Sequence, residues 1–145
     1  MKNWDRILKT PYLTVDAIII KDGRILLGKR KSGLFGGYWE LPGGFVERGE
    51  VLRKAVAREV LEETGLKVIP KKIIGIYDDP KRDPERGHVV TVAYLCKLAG
   101  GKIKLQPEEV KDVKFFPVSE IKKLKIAFDH RKIIKDALRM HGRKS

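Results

Sequence analysis

Glu59, Glu62 and Glu63 stand at i, i+3 and i+4, a spacing that puts three carboxylates on one face of a helix. Like charges so placed weaken an isolated helix. In a chain with 32 Lys and Arg against 19 Asp and Glu, such a gathering needs a reason. Two readings fit: a solvated helix face, or a site for a hard divalent cation, which prefers carboxylate oxygens together with substrate phosphates. Gly43-Gly44, just upstream, lets backbone come close to a ligand and offers a carbonyl. Other chemistries find no support. No Cys/His cluster has zinc spacing, no glycine-rich loop precedes a Lys-Ser/Thr pair, and no spacing identifies a Ser-His-Asp triad. Cys96 alone excludes an internal disulfide and reads as a small core hydrophobe, and His88, His130 and His141 read as structural.

The elements that must position these acids follow from the pattern around them. Residues 50–64 lack Gly and Pro, are rich in helix formers and stop at Gly65, a natural C′ residue. On a wheel of ~100° per residue, Val56, Ala57, Val60, Leu61 and Thr64 share an arc of roughly 140° and are expected to face the core. The three glutamates occupy a neighbouring arc. Thr14 to Ile20 reads as a buried strand, Lys21-Asp22-Gly23 as a tight turn and Arg24 to Lys29 as the returning strand. Ser32 to Gly37 reads as a mobile loop, and Tyr38 to Val46 as extended segments bent at Pro42-Gly43-Gly44. Lys67 to Tyr77, Val89 to Leu98 and Val113 to Val118 are expected strands, and Gly100-Gly101 an expected turn. Ser119 is a plausible N-cap for a brief helix, and Asp129 opens the last helix, with Phe128 and Ile133 as a hydrophobic staple. The result is one mixed α/β domain over residues 1–145.

The spacing around the glutamates carries more. From Gly44, five residues lead to Glu50 and seven more to Arg58-Glu59, followed by Val60, Leu61, Glu62, Glu63, Thr64, Gly65 and Leu66. Residues 44–66 therefore match every fixed position of the Nudix box, Gly-x5-Glu-x7-Arg-Glu-U-x-Glu-Glu-x-Gly-U with U aliphatic. The flanks Val15-Asp16-Ala17, Tyr38 to Glu47 and Phe115-Phe116-Pro117 are also similar to Nudix domains. The resemblance spans roughly residues 12 to 138. It implies an α/β/α sandwich around a mixed sheet, with the box as loop–helix–loop. It implies hydrolysis of a nucleoside diphosphate linked to another group, by water attack on phosphorus with Mg2+ or Mn2+. It makes Glu59 and Glu63 the principal metal ligands, Glu62 a further ligand or a water-orienting group, and the Gly43 carbonyl a backbone ligand. Glu50 and Arg58 would hold the acids in place. For the general base, Glu62, Glu109 and Glu108 stay open.

Pro80 lies fifteen residues past Gly65, and the segments Gly75 to His88 and Ala127-Phe128-Asp129-His130 resemble those of ADP-ribose pyrophosphatases. That implies ADP-ribose as substrate, giving AMP and ribose 5-phosphate. Dinucleoside polyphosphates, oxidised nucleoside triphosphates and RNA 5′ ends are the alternatives, and a non-catalytic sensor the reading from another class. Discrimination needs an aromatic platform and groups that reach sugar hydroxyls. Phe35, Tyr38 and Trp39 on one loop, with Asp79, Arg82 and Arg86 on another, are candidates to close over the nucleotide. Arg82 or Arg86 is then expected to meet the pyrophosphate; the plainer alternative makes Trp39 core and the arginines solvated.

The net charge of +13 suits a polyanionic partner, yet abundant charge beside a single Asn and a single Gln also suits a protein that works hot. No stacking strip accompanies the basic residues along the sequence, so nucleic acid is not the expected partner. The longest aliphatic run, Ala17 to Ile20, is far short of the ~20 residues that span a bilayer. No apolar leader opens the chain, and a cytoplasmic location is expected. The family resemblance implies a homodimer, for which Trp4, Ile7, Leu8 and Tyr12 are candidate contacts.

Overall fold

The computed structural model describes residues 9–105, 108 and 110–142, and of Lys111 the backbone alone. In chain order the elements are β1 (Tyr12–Lys21), β2 (Arg24–Arg30), β3 (Trp39–Glu40), β4 (Gly43–Phe45), α1 (Leu52–Thr64), β5 (Leu66–Tyr77), β6 (Val89–Gly101), β7 (Val110–Pro117), a 3-10 helix (Val118–Lys123) and α2 (His130–Gly142). The strands form one seven-stranded mixed sheet that divides along β1. The first part of β1 lies between β4, antiparallel, and β6, parallel, with β5 outside β6. The last residues of β1 turn through Asp22-Gly23 onto β2, which also pairs with β3 and β7.

Because β1 is covered on both faces, its aliphatic run is continuous rather than alternating. Val15, Ala17 and Ile19 pack with Val56 and Val60 of α1. Ile18 packs with Ile133, Ile134 and Ala137 of α2. Each fully buried Ile, Leu or Val here contributes about 1.5–3 kcal/mol relative to exposure. Cys96 is 3% exposed in the first of these cores, and burial pushes its thiol up to about 12. The expected strands and helices are present, and no helix of the described residues is long and apolar enough to cross a membrane.

Several details depart from expectation. α1 begins at Leu52, not Glu50, with Val51 as an N-cap that makes no side-chain bond. Leu61, expected in the core, is 46% exposed, while Ala55, Val56, Val60, Glu63 and Thr64 are the buried residues. On the wheel the buried arc is rotated by about 70° toward the glutamates. The rotation has a cause: Glu63 has to reach the backbone of β4, which drives Leu61 outward.

Gly100-Gly101 is not a turn but the end of β6, paired with Lys67 and Leu66. Here the exit of α1 passes so close that a Cβ at Gly101 would overlap the Gly65 carbonyl. The 3-10 helix follows Pro117, not a Ser119 cap. Phe128 does not staple α2. Its φ of 53° accompanies a ring set 4.8 Å from that of Phe35. The loop expected to be mobile is tied down: Gly37 donates to the Arg30 carbonyl at 2.8 Å and Leu34 N–H to Glu85 at 2.7 Å.

Candidate active site

β4 is short and flanked on its two faces by two charged clusters. Its residues Gly43-Gly44 pair with Asp16 and Val15 of β1. On the α1 side, the Gly43 N–H donates to Glu63 Oε2 at 2.9 Å, and Glu63 is only 9% exposed. The Glu59 carboxylate lies against Gly44 so tightly that a Cβ there would overlap it. Glycine at 44 is therefore a steric requirement of the cradle.

Arg58 draws the remaining acids together. Its Nε and Nη2 grip both Glu50 oxygens at 2.6 and 2.9 Å, Nη1 reaches Glu59 at 3.1 Å and Glu62 at 3.2 Å, and Nη2 also donates to the Phe45 carbonyl. Bidentate contact of this kind is a strong, oriented interaction. Hydrogen bonding to Arg58, and then to the Glu47 N–H, holds the Glu50 carboxyl below its ordinary range. The Glu50 contact foremost raises the already high pKa of Arg58. Glu62 is the exposed member of the set. Among the described residues no three acidic or histidine side chains yet converge on one coordination point. The chemistry of the donor set nevertheless fits a hard divalent cation: Glu59, Glu62 and Glu63 would offer carboxylate oxygens, and the absence of a Cβ at Gly44 leaves the space that the Glu59 carboxylate occupies. Glu109, the alternative base, lies outside the described residues, and Glu108 occupies an exposed turn.

On the other face of β4 is a narrow cleft of about 50 Å3. Asp16, Glu40 and His130 form its closed end, and Arg86 and Phe128 its rim. Asp16 is held by the Thr91 hydroxyl, which donates to Oδ2 at 2.6 Å. His130 Nδ1 accepts from the Leu41 N–H at 3.0 Å, so in the neutral ring Nε2 carries the proton, 3.8 Å from Asp16 Oδ1. Burial raises the Glu40 carboxyl above its ordinary range, opposed by His130 and Arg30.

The residues expected to bind substrate divide here. Phe35 and Tyr38 are in edge contact at 5.4 Å and, through Phe35, join Phe128 of the cleft rim in one aromatic cluster. Trp39 is half-buried and packs against the core, its ring 4.7 Å from that of Phe116, nearer the plainer alternative than a nucleotide platform. Arg82, expected at the pyrophosphate, is spent on a bidentate pair with Asp129 at 2.6 and 2.8 Å, its side chain 5% exposed. Desolvation would lower its pKa, and Asp129 overcomes that. Arg86 stays at the rim, paired with Asp83 and lying over Phe45 and Phe128. Asp79 is exposed and accepts from the Lys81 N–H, lining a different groove beside α2.

Sequence reasoning missed Glu85, which joins both loops by accepting from Leu34 N–H and pairing with Arg30. It also missed the partners of Asp16, Glu40 and His130, and the exposed pair Tyr12–Phe45 beside the cleft. His130 and Leu41 are 89 residues apart, and no local pattern connects them.

Comparison with known proteins agrees with this geometry. The chain is 47% identical over 134 residues to an ADP-ribose pyrophosphatase from Methanocaldococcus jannaschii, covering 92% of this chain and 77% of that one. It superposes with a TM-score of 0.81 and 31% identity on the NUDIX domain of Shewanella oneidensis NrtR complexed with ADP ribose, covering 93% and 91%. A bifunctional NMN adenylyltransferase/ADP ribose pyrophosphatase from Francisella tularensis, complexed with AMP and a Mn ion, matches with TM-score 0.81 and 28% identity. That match covers 95% of this chain and 45% of the other. The NUDIX domain model matches residues 10–137, taking in both faces of β4. The chain belongs to the Nudix family of hydrolases.

Proposed function

We propose that the protein hydrolyses ADP-ribose to AMP and ribose 5-phosphate with a divalent cation, Mg2+ or Mn2+. The observation that carries this reading is the passage of Gly43-Gly44 between the Glu59–Glu63 face and the Asp16–Glu40–His130 cleft. A pyrophosphate at the glutamates has its attached sugar or base within reach of a polar cleft. The names of the similar proteins, from the Methanocaldococcus enzyme to the ADP-ribose-bound NUDIX domain, support ADP-ribose as the ligand.

Glu59 and Glu63 would hold the cation, with Glu62 and the Gly43 carbonyl as further ligands. The bound cation supplies neutralisation of the pyrophosphate and a more acidic water. Arg58 and Glu50 keep Glu59 and Glu62 in position. The water oxygen bonds to one phosphorus as the bridging P–O bond breaks, and the water proton passes to a carboxylate. Glu62 is the exposed acid at the site, and Glu109 or Glu108 the alternative. Arg86 is the cation placed at the rim to meet phosphate oxygens, and Tyr12, Phe45 and Phe128 give an apolar rim for the nucleoside.

A substrate panel tests the reading: ADP-ribose, NADH, diadenosine polyphosphates, 8-oxo-dGTP and triphosphorylated RNA, each with Mg2+ or Mn2+. ADP-ribose is expected to have the highest kcat/KM. Another substrate in first place overturns the choice of ADP-ribose and leaves the reaction class standing.

A further inference from the structure

No stretch of the sequence sets aromatic residues among the lysines, yet the fold does so. β3, β2 and β7 lie side by side, with Lys29 of β2 opposite Trp39 of β3 and Asp112 of β7, and Lys114 opposite Leu27. Beyond β3, Ile126 bridges to Trp39, and the Trp39 N–H donates to the Lys125 carbonyl at 2.8 Å. The segment Lys122-Lys123-Leu124-Lys125 therefore leads onto this edge, and its three lysines are exposed.

Three lysines lie over aromatic rings. The Lys29 and Lys114 ammonium groups are 5.7 and 5.8 Å from the Trp39 ring centre, and Lys114 is 5.7 Å from that of Phe116. Lys125 is 5.9 Å from the Tyr38 ring centre. Trp39 and Phe116 pack against each other and the core, so they form a floor that holds two ammonium groups in place. Tyr38 is half-buried and Lys125 exposed. Compensating acid is scarce: Glu40 is taken by Arg30, and Asp112 approaches Lys114 only to 3.9 Å.

Lysines fixed beside an exposed ring edge suit single-stranded nucleic acid, whose phosphates meet the ammonium groups while a base stacks on the ring. An acidic peptide would use the lysines and leave Tyr38 idle. The net charge of +13 adds attraction for a polyanion at long range. The patch is also separate from the hydrolytic residues. Gly28 and Glu40, which alternate with Lys29 and Trp39 along the same strands, line a hollow with Glu63 on the other face.

We infer that this surface binds single-stranded nucleic acid along its length, with phosphates at Lys29, Lys114 and Lys125 and a base on Tyr38. The inference is independent of the hydrolysed substrate. Fluorescence anisotropy tests it, with 3′-fluorescein oligouridine and oligothymidine of about twelve nucleotides, a length within ordinary single-strand site sizes. Both probes carry a 5′-hydroxyl and EDTA is present, so the divalent-cation site takes no part. Binding of either probe is expected, weakening as salt rises. Lys29→Glu/Lys114→Glu/Lys125→Glu is expected to weaken it about tenfold or more and to reduce the slope of log K against log salt by about 2, three phosphates at about 0.7 each. Lys67→Glu/Lys97→Glu/Lys102→Glu makes the same change of net charge at exposed positions of β5, β6 and the segment after β6, and is expected to leave the slope unchanged. Tyr38→Leu is expected to weaken binding about fivefold or more, the lower end of what one stacked base contributes, again without changing the slope. Circular dichroism checks the folding of each variant, and Lys29→Gln/Lys114→Gln/Lys125→Gln replaces the first reversal if that protein does not fold. Failure of both probes to bind, equal losses in the two triple reversals, inorganic polyphosphate competing as well as an oligonucleotide of equal charge, or wild-type affinity in Tyr38→Leu overturns the proposal.

Discussion

The two faces of β4 use the same residue types to opposite ends. On the cleft side, Arg82 meets Asp129 and Arg86 meets Asp83, while Arg30 bridges Glu40 and Glu85. On α1, one guanidinium serves Glu50, Glu59 and Glu62 together, and Glu63 sits one turn from Glu59 against a backbone amide. One base for each one or two acids fastens loops. Acids crowded around one shared base are suited to accept a further cation. What separates structure from chemistry here is stoichiometry rather than composition.

Breaking the acid-rich face should have the largest effect. Glu59→Gln or Glu63→Gln should lower metal-dependent kcat/KM by about a thousandfold or more, since a metal ligand supports several kcal/mol of charge stabilisation. Steady-state hydrolysis with circular dichroism checks this, and near-normal turnover in both variants would remove the glutamates from the site. Breaking the matched face should act on stability instead. Arg82→Ala strands Asp129 beside α2 and should cost about 3 kcal/mol in urea unfolding, as loss of one partner of a buried pair does. An unchanged midpoint would show that the pair fastens nothing.

Arg58→Ala lies between these cases. The residue orients acids without belonging to the donor set, so apparent affinity for Mg2+ or Mn2+ should weaken by about 10–100-fold, the usual cost of losing an outer partner. Metal titration of activity measures it. If affinity is retained while stability falls, Arg58 belongs with the fasteners.

The same contrast should be visible in pH. Glu50 is held below its ordinary value of 4.5 by Arg58, so its contribution to stability is present above that pH and is lost as pH falls through the depressed folded-state value. Glu40 is raised by burial, so its contribution is complete below 4.5 and is lost as pH rises through the elevated folded-state value. Glu50→Gln should flatten the acid limb of a urea-stability profile, and Glu40→Gln the limb just above it. Identical profiles for the two variants would erase the distinction between the faces.

Much of this was legible in the sequence. The β1–β2 hairpin follows from its turn residues, both helices from their formers, and the acid cluster from spacing alone, because these are local properties. The cleft was not legible. His130 to Leu41, Arg82 to Asp129 and Glu85 to Leu34 each join segments 47 to 89 residues apart, where no periodicity operates. The Gly100-Gly101 misreading has a similar origin. A glycine pair marks a turn locally, whereas here it answers to the close passage of Gly65.

The smallest expected effect concerns the orientation of α1. Helical periodicity assigns Leu61 to the core, and truncating a core leucine costs about 2–5 kcal/mol. In the structure Leu61 is 46% exposed, and the helix is turned to bury Glu63 instead. Leu61→Lys should therefore change unfolding free energy by no more than about 0.5 kcal/mol, as surface substitutions do. It should also leave turnover intact, since its side chain points away from β4. A loss of several kcal/mol would mean that the apolar face, not the glutamates, sets the rotation of α1. The contrast between the two faces of β4 would then lose its structural basis on the α1 side.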